Sequence, residues 1–394
     1  MRRSLRYAAA FVLGAALAAS LAVGSLAAQS VLASRGLGYP IDPVDARSRG
    51  LGGVSVGLAD PGFSLVNPAA PAGLAAPGFS ATFQPDAYDA TAGDLATDGT
   101  TARFPLLQLA FPVRGGLTGF VGYGAYLDQH WKVEQADSID LPTGRVGVID
   151  RVVSAGAVAR LRAGAAYRLS DRLAVGAAAD VITGAVRDSA TRSIGEGMFG
   201  SFSGVTYRYR GVGAAAGVRW TPSGALSVAA AVTGGGQITA EAAEDSVGGE
   251  REKSYPRPLE VDAGASAHVT QNLLLAVSGR WSGWSAADAE LAGSGGARDA
   301  VTGSLGVEYE GVSLFGRPAP LRLGARYTQL PFRWGSVADG NEFPNEQALS
   351  AGAGVRLGAA RLDAAAERGR RGGDAAGFEE PFWRFSFTVS VLGR

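Results

Sequence analysis

The C-terminal stretch FWRFSFTVSVL, residues 382–392, shows the pattern on which the fold of this chain depends. Every second residue is large and apolar, and the residues between are charged or hydroxylated. The apolar set is Trp383, Phe385, Phe387, Val389 and Val391, and the polar set is Arg384, Ser386, Thr388 and Ser390. Successive side chains of a β-strand point to opposite faces, so this period of two predicts a strand with one apolar and one polar face.

Similar alternation recurs back to about Phe79, and fourteen such segments can be counted. We place them at residues 79–87, 102–113, 117–131, 152–169, 172–186, 204–220, 225–239, 257–269, 272–284, 299–310, 320–332, 347–357, 360–368 and 382–392. Short connections such as Gly115-Gly116 alternate with long polar ones such as residues 132–151. Short periplasmic turns, long extracellular loops and an even strand number are typical of outer-membrane barrels. We therefore predict an all-β fold, a 14-stranded antiparallel transmembrane β-barrel spanning residues 79–394.

The alternative fold is a soluble β-sandwich or propeller, whose exposed strands also alternate. A soluble fold would place bulky apolar residues inside, whereas here the second face carries small residues and charges, as a barrel lumen does. Aromatic residues near strand ends are typical of an interfacial girdle, and they are Trp131, Tyr167, Trp220, Trp281, Trp284, Tyr309, Trp334 and Trp383. The alternation changes phase near Gly211, from Arg208 and Arg210 to Val212 and Ala214, which predicts a β-bulge there.

Charged residues on the polar faces are predicted to point into the lumen. They are Arg160, Arg162, Arg172, Arg280, Arg322, Arg326, Arg356 and Arg384, with Asp180, Glu260, Asp262, Glu308, Asp363 and Glu367. One interpretation is a set of salt bridges that holds the barrel and its contents together. The other is that some arginines bind an anionic group of a substrate, such as a carboxylate.

Residues 1–28 are predicted to be a secretory signal peptide. Arg2, Arg3 and Arg6 precede an apolar run that reaches about Val23 and is followed by a small-residue pattern ending at Ala27. That order is typical of a cleaved signal, with an N-terminal membrane anchor as the alternative. Cleavage near Ala27 or Ala28 leads us to expect a protein of the cell outer membrane.

Residues 29–78 are predicted to form a plug, or hatch, in the lumen. The central stretch Ser48–Leu74 is apolar and rich in Gly and Pro, with no sustained period of two or of 3.6. Asp60-Pro61 and Asn67-Pro68 each resemble a helix N-cap followed by proline at the first helical position. Irregular backbone is tolerated at membrane depth only where protein encloses it, so this stretch fits the inside of a barrel.

Composition and motifs argue against catalysis and against metal or nucleic-acid binding. The chain has no cysteine, and 36 basic residues balance 36 acidic ones. Its two histidines, His130 and His268, fall at opposite ends of the predicted barrel and cannot share a site. Residues 53–57 match G-x-S-x-G, but a nucleophile elbow requires a strand–turn–helix context and a histidine base. We predict that the protein is not an enzyme, that it has no cofactor or metal, and that it binds no nucleic acid.

The stretch Ser48–Leu74 resembles the N-terminal hatch signature of the FadL-type outer-membrane transporters and their PorV-like relatives. The residues that match the signature are Arg49, Gly50, Gly52, Gly53, Asp60, Asn67, Pro68 and Ala69. The chain departs from the signature in having one Asp where a pair is common, and Ala70 where glycine commonly follows.

The resemblance implies a passive outer-membrane channel for hydrophobic compounds such as long-chain fatty acids or hydrocarbons. It also implies that the hatch gates the channel and that substrate leaves sideways at a kink in strand three, which here would use Gly119, Gly122 and Gly124. The partners it implies are hydrophobic small molecules, outer-membrane lipid or lipopolysaccharide, and the barrel-assembly machinery, with the protein a monomer. Two alternatives stay open: a PorV-like interaction or secretion-associated barrel, and a general porin.

Overall fold

The alternating segments form the wall of a closed barrel in the computed structural model. The structure describes residues 30–60, 62–92, 95–142, 144–195, 200–244, 251–291, 296–314, 316–334, 342–373 and 377–393. The fourteen wall strands are β1 Gly78–Ala92, β2 Leu95–Arg114, β3 Leu117–Asp128, β4 Gly144–Arg168, β5 Leu173–Ile194, β6 Ser201–Ser223, β7 Leu226–Gly234, β8 Glu260–Thr270, β9 Leu273–Ser282, β10 Ala300–Tyr309, β11 Leu321–Gln329, β12 Asn345–Leu357, β13 Ala360–Gly373 and β14 Phe378–Leu392. Each is antiparallel to its neighbours, and β1 pairs with β14 to close the barrel. The predicted signal peptide lies outside the described residues.

The predicted long loops differ from the structure, because several of them continue the wall as β-structure. Strands β1 and β2 pair as far as Ala92 and Leu95, across a region predicted to be a loop. The segment Trp131–Leu141 forms a hairpin with the first part of β4, and Gln237–Ala242 pairs with Glu252–Pro256. The predicted short turns, by contrast, lie where the sequence placed them, for example at Gly115-Gly116. The long-loop end of the barrel therefore carries β-hairpins that extend beyond the apolar band described next.

The outer surface of the barrel carries a band of exposed apolar side chains. Leu109, Val181, Leu305, Leu323 and Leu349 are between 48% and 70% exposed. Tyr167, Trp220 and Tyr309 lie at the short-turn edge of this band, and Trp281 and Trp383 lie at the long-loop edge. A band with aromatic edges is the lipid-facing surface of a transmembrane barrel.

Three of the predicted girdle aromatics do not belong to the girdle. Trp284 is 3% exposed and packs inside the barrel against Tyr126 and Phe332. Trp131 and Trp334 pack against a second buried apolar cluster. These three tryptophans lie beyond the wall strands, where side chains no longer alternate between lumen and lipid.

The predicted bulge at Gly211 is wrong. Strand β6 pairs with β5 without a register shift along its whole length, and Arg210 and Val212 are both exposed on the outer face. The outward side chains change from charged to apolar because the strand passes from water into the lipid-facing band. The irregularity lies in the adjacent segment that follows β7, at Gly235 and Gly236, where both φ angles are positive.

The N-terminal segment, residues 30–77, is enclosed by the barrel. It contains a 3-10 helix Val31–Ser34, a two-residue strand Tyr39–Pro40 and a short α-helix Ala46–Gly50 that the sequence did not indicate. Its remaining backbone is irregular, and residues 62–66 are not helical, contrary to the prediction from Asp60-Pro61, of which Pro61 lies outside the described residues.

Further short elements are Trp284–Ala287, Asp288–Leu291, Ser313–Leu314 and Arg317–Pro318. Within the described residues, none of the helices has the length and hydrophobicity required to span a membrane.

Contacts of the N-terminal segment run around the wall. Its hydrogen bonds with the wall include Ser64 with Gln108 of β2, Asn67 with Val218 of β6, Gly57 with Ser266 of β8, Gly52 with Ser350 of β12 and Ala46 with Thr388 of β14. Leu65 packs against Gly122 of β3 and accepts a hydrogen bond from Arg162 of β4. A segment that reaches strands on all sides of a closed wall lies in its lumen.

Candidate functional site in the barrel lumen

The glycines of the predicted hatch lie where the N-terminal segment touches the wall backbone. Gly52 has a φ of +75°, and a Cβ on it would lie 2.4 Å from the carbonyl oxygen of Ala325. Gly50 packs against Gly352, and Gly53, with a φ of +83°, packs against Arg326. A side chain at Gly52 would strain the backbone and collide with β11, so this contact requires glycine.

The predicted close of the hatch forms a turn and not the expected helix. Asn67 accepts a hydrogen bond from the Ala69 N–H at 2.8 Å and donates one to the Val218 carbonyl at 3.1 Å. Pro68 packs against Gly176 of β5, and Ala69 is fully buried. Asn67 thus caps a turn and ties it to β6. Asp60, at the centre of the signature, is exposed and lies 3.3 Å from Arg47.

The predicted lumen charges fall into three classes of burial. Those that are buried are Arg160, Arg162, Arg322, Arg326, Arg384, Asp180, Asp262, Glu308, Asp363 and Glu367. Arg280 and Glu260 are partly buried, with side-chain exposures of 12% and 13%. Arg172 and Arg356 are exposed. Arg172 lies in a turn, contrary to the prediction that it points into the lumen, whereas Arg356, one residue before the end of β12, lines a cavity between the N-terminal segment and the wall.

Asp42 of the N-terminal segment connects three arginines. Its carboxylate lies 2.9 Å from Arg280 of β9, 3.2 Å from Arg326 of β11 and 3.6 Å from Arg49 of the segment. Arg49 is 1% exposed and also lies 3.6 Å from Glu367 of β13. The helix that carries Arg49 begins at a cap in which Asp45 accepts a hydrogen bond from the Ser48 N–H at 2.7 Å. These contacts attach the start of the segment to one side of the wall.

A denser group of ion pairs lies on the same side of the wall, across β11 to β14. Arg326 reaches Glu346 and Glu367, the latter at 2.7 Å. Arg371 donates to Glu346 at 2.6 Å, and Arg384 donates to Glu367 at 2.8 Å. Tyr39 of the segment donates its hydroxyl to Glu346. A buried charge is tolerated only when paired, so each member of this group depends on the others.

A second ion-pair group holds the later part of the segment. Asp180 of β5 accepts from Arg162 of β4 at 2.6 and 2.8 Å and from Arg257 at 2.6 Å, and all three side chains are fully buried. Arg162 also donates to the Leu65 carbonyl at 2.6 Å. A third group joins Arg47 of the segment to Glu308 of β10 at 2.6 Å.

Sequence reasoning missed several members of this network. Glu346 and Arg371 fall just outside the predicted strands, at positions assigned to loops. Arg371 is four residues from Glu367 and shares its face, so following the period of two further along the strand would have identified it. Tyr39 and Asp42 carry no pattern that could have identified them.

The wall is incomplete between β2 and β3. The two strands pair from Arg114↔Leu117 only as far as Leu107↔Tyr123. Beyond that point residues 95–106 of β2 have no described strand on this edge, although they still pair with β1 on the other. Pro105 lies just past the last pair and lacks an N–H to donate to the ladder. We call this opening the wall split.

The N-terminal segment occupies the wall split from within. Tyr39 and Pro40 pair with Asp128 and Leu127 of β3, and the Ile41 N–H donates to the Tyr126 carbonyl at 2.9 Å. An ion pair of 3.8 Å between Arg103 of β2 and Asp128 crosses the split.

Two of the three predicted strand-three glycines, Gly122 and Gly124, lie beside the wall split. Gly119 lies in the paired part of β3, Gly122 lies near the end of that pairing, and Gly124 is the first residue beyond its last pair. At both Gly122 and Gly124 a Cβ would collide with Leu65 of the N-terminal segment.

Apolar side chains fill the lumen at the long-loop end. One buried cluster contains Tyr126, Ile182, Ile238, Trp284 and Phe332. A second cluster, next to the wall split, includes Tyr39, Ile41, Tyr88 and Phe382. At the short-turn end, a cavity of about 640 Å³ lies between the segment and the wall, with Phe63, Arg219 and Arg356 among its lining residues. Ion pairs of the network lie between the apolar clusters and this cavity.

Outside the lumen, the hairpin of Trp131–Leu141 with β4 carries its own ion pairs. Glu134 accepts from Arg151 at 3.0 Å and lies 3.2 Å from Lys132. The hydrogen bond from Arg151, followed by that from Lys132, lowers the pKa of Glu134 below its ordinary value.

A closed antiparallel barrel with an apolar outer band, enclosing an ion-paired N-terminal segment, defines a transmembrane β-barrel protein of the outer-membrane type. The family model described as BamG matches residues 9–243, which is more than half of the chain, and the protein belongs to this family. No curated protein sequence matches it.

Solved structures similar to this chain share the barrel fold. A FadL homologue from Pseudomonas aeruginosa superposes with a TM-score of 0.62 and 14% identity, covering 90% of this chain and 99% of that one. The Ralstonia pickettii toluene transporter TbuX gives a TM-score of 0.58 and 15% identity, covering 89% and 98%. The Pseudomonas putida toluene transporter TodX gives 0.57 and 12% identity, covering 89% and 99%. The resemblance to FadL-type transporters is therefore confirmed at the level of the fold, as is the predicted 14-stranded barrel.

Proposed function

We propose that the protein is an outer-membrane channel through which hydrophobic compounds such as aromatic hydrocarbons or long-chain fatty acids enter passively. In this proposal residues 29–78 act as a hatch that closes the lumen, and substrate leaves sideways through the wall split. The observation that carries the proposal is the wall split. Gly122 and Gly124 lie beside it, and a buried apolar cluster packs next to it.

The apolar clusters support a hydrophobic substrate. A polar solute would lose its hydration against the side chains of Trp284 and Phe332, whereas an apolar one would gain from leaving water. A lateral exit lets such a molecule pass into lipid without crossing water again. Two of the similar structures, TbuX and TodX, are toluene transporters, which agrees with this substrate class.

The contacts of the segment support a hatch that opens at the wall split. Toward β9–β14 the segment is held by partly buried ion pairs of Asp42 and by the buried ion pair of Arg49 with Glu367. At the wall split, Tyr39 and Pro40 supply the only β-pairing among the described residues on the edge of β3 that β2 no longer covers. Separation of this short pairing would open the wall and leave the barrel strands in place.

The test is uptake by cells whose outer membrane limits permeation, using labelled toluene and a labelled long-chain fatty acid. The chain has no cysteine, so a Tyr39→Cys/Asp128→Cys variant can form one disulfide, across the closed wall split. We expect wild-type cells to take up at least one compound, the oxidised variant to lose that uptake, and a reductant to restore it. The matched control is Ser138→Cys/Gly147→Cys, which joins opposite residues of the outer hairpin and should take up substrate normally.

Each part of the proposal can fail separately. A folded wild-type barrel that takes up neither compound would overturn transport of hydrophobic compounds. Normal uptake by the oxidised Tyr39→Cys/Asp128→Cys variant would overturn the wall split as the route. The alternative is a partner-binding barrel, which is favoured by the dense ion pairs that fix the segment in place. It predicts that other proteins co-purify stably with the barrel and that cells take up neither labelled compound.

A further inference from the structure

A groove of about 970 Å³ runs across the outer face of the barrel, over β9 to β14. Its floor contains Gly303 and Ala325, and a Cβ on Gly303 would meet no other atom within 4 Å. Val277, Leu305 and Leu349 also line it, and their side chains are 51%, 57% and 70% exposed. Because these residues belong to the apolar outer band, the groove faces lipid, and its apolar lining suits an acyl chain.

The end of the groove nearest the long loops carries two arginines, Arg368 and Arg370 of β13. Both side chains are exposed, and neither forms an ion pair within the described part of the chain. Arg368 stacks on Trp383, a residue of the aromatic edge, with its guanidinium 5.3 Å from the ring centroid. The arginines therefore lie at the height of the lipid headgroups, on the side of the membrane where long loops are extracellular.

Two exposed guanidiniums beside the apolar band offer a binding site to an anionic group in the headgroup layer. Glu379 is the one carboxylate that lines the groove among the described residues, so a positive charge remains uncompensated. Guanidinium groups bind phosphate through paired hydrogen bonds, which neutral headgroups accept less strongly. The apolar groove is continuous with the arginine pair, and we propose that this face binds an anionic, phosphate-bearing lipid of the outer leaflet. Its acyl chain would lie over Gly303 and its phosphate at Arg368 and Arg370.

The proposal does not depend on transport, because the groove lies on the lipid side of the wall. We would test it with the purified full-length barrel and native mass spectrometry, using lipid A as the probe and phosphatidylcholine as the zwitterionic comparator. Inorganic phosphate, added as a competitor, separates a lipid site from a site for free phosphate. Heat-modifiable migration on gels verifies that each variant has folded.

We expect wild-type protein to retain lipid A in preference to phosphatidylcholine and inorganic phosphate not to displace it. Arg368→Gln/Arg370→Gln should weaken retention by about tenfold or more, since one hydrogen bond to a charged group accounts for roughly that factor. Gly303→Leu, which fills the floor of the groove, should weaken retention while leaving both arginines intact. The control Arg114→Gln/Arg168→Gln removes two exposed arginines from the opposite edge of the barrel and should bind normally.

Equal retention of lipid A and phosphatidylcholine by the wild type would overturn the proposal. So would unchanged retention in the Arg368→Gln/Arg370→Gln variant. Displacement by inorganic phosphate would show an anion site without a lipid and would also contradict it.

Discussion

The wall across β11 to β14 and the wall between β2 and β3 surround the same N-terminal segment but hold it in different ways. Across β11 to β14 the backbone ladder is continuous, and buried carboxylates such as Glu346 and Glu367 fix the arginines of wall and segment. Between β2 and β3 the ladder stops at Leu107↔Tyr123, and a two-residue strand replaces it. In the function proposed above, the segment stays anchored on the first side and separates from the wall on the second.

The largest expected effect is loss of an anchor on the first side. Glu346→Ala would leave Arg326 and Arg371 buried without their shared carboxylate, and removal of one partner from a buried pair costs about 3–5 kcal/mol. The measurement is urea unfolding of the purified barrel in detergent, followed by tryptophan fluorescence. Glu252→Ala, at an exposed residue of an outer hairpin, should change stability by less than about 0.5 kcal/mol. Equal effects of the two substitutions would contradict the assignment of Glu346 as an anchor.

A smaller effect is expected from Gly52→Val, which alters the contact of the N-terminal segment with the wall and leaves every charge intact. A β-branched residue at a φ of +75°, with its Cβ close to the Ala325 carbonyl, should destabilise the docked segment by about 1–3 kcal/mol. Limited proteolysis of folded barrels would show this as faster cleavage within residues 42–60. Gly147→Val is the control, since a Cβ there meets nothing within 4 Å. Unchanged protection in Gly52→Val would mean that the segment is not fixed at this contact.

The third effect concerns the wall split directly. Amide hydrogen exchange should be faster at Ile41, which bonds to Tyr126 beside the wall split, than at Ala46, which bonds to Thr388 on the anchored side. Asp128→Asn removes the charge that pairs with Arg103 across the wall split and should accelerate exchange at Ile41 by about fivefold, the equivalent of about 1 kcal/mol. Exchange at Ala46 should stay constant. Acceleration of both amides alike would show that the segment moves as one body.

The smallest effect is a pH dependence outside the wall, in the hairpin of Trp131–Leu141. Arg151 lowers the pKa of Glu134, so this pair stabilises the hairpin above the ordinary carboxylate pKa and stops doing so as pH falls through the lowered value. Amide protection in the hairpin, corrected for intrinsic exchange, should therefore decrease below about pH 4. Arg151→Gln should remove most of that dependence. A hairpin with the same protection at pH 3 and pH 7 would show that the ion pair contributes nothing to its stability.

How far sequence reasoning reaches differs between the wall and its contents. The period of two located all fourteen strands, because a strand that faces lipid on one side and a polar lumen on the other must alternate. It placed some strand ends too early, as at β13, since the pairing continues into water where the outer face no longer needs apolar residues. It placed others too late, as at β3, which ends at Asp128 and not at residue 131. The same transition produced the mistaken bulge at Gly211.

In the lumen, sequence reasoning found charged residues such as Arg326 and Glu367 but not their arrangement. Asp42, which meets Arg326, is separated from it by 284 positions, and no spacing in the chain relates the two. The short helix Ala46–Gly50 was also missed, because a single capped turn has no apolar period to reveal it.

The sequence by itself determined that this chain is a barrel, how many strands form it, and which face of each strand meets lipid. Those properties follow from local alternation, which each strand must satisfy separately. Only the tertiary structure decided which carboxylate meets which guanidinium, where the wall stays open and which residues occupy that opening. Closure of the barrel brings together residues far apart in the chain, and burial then makes each charge depend on its particular partner.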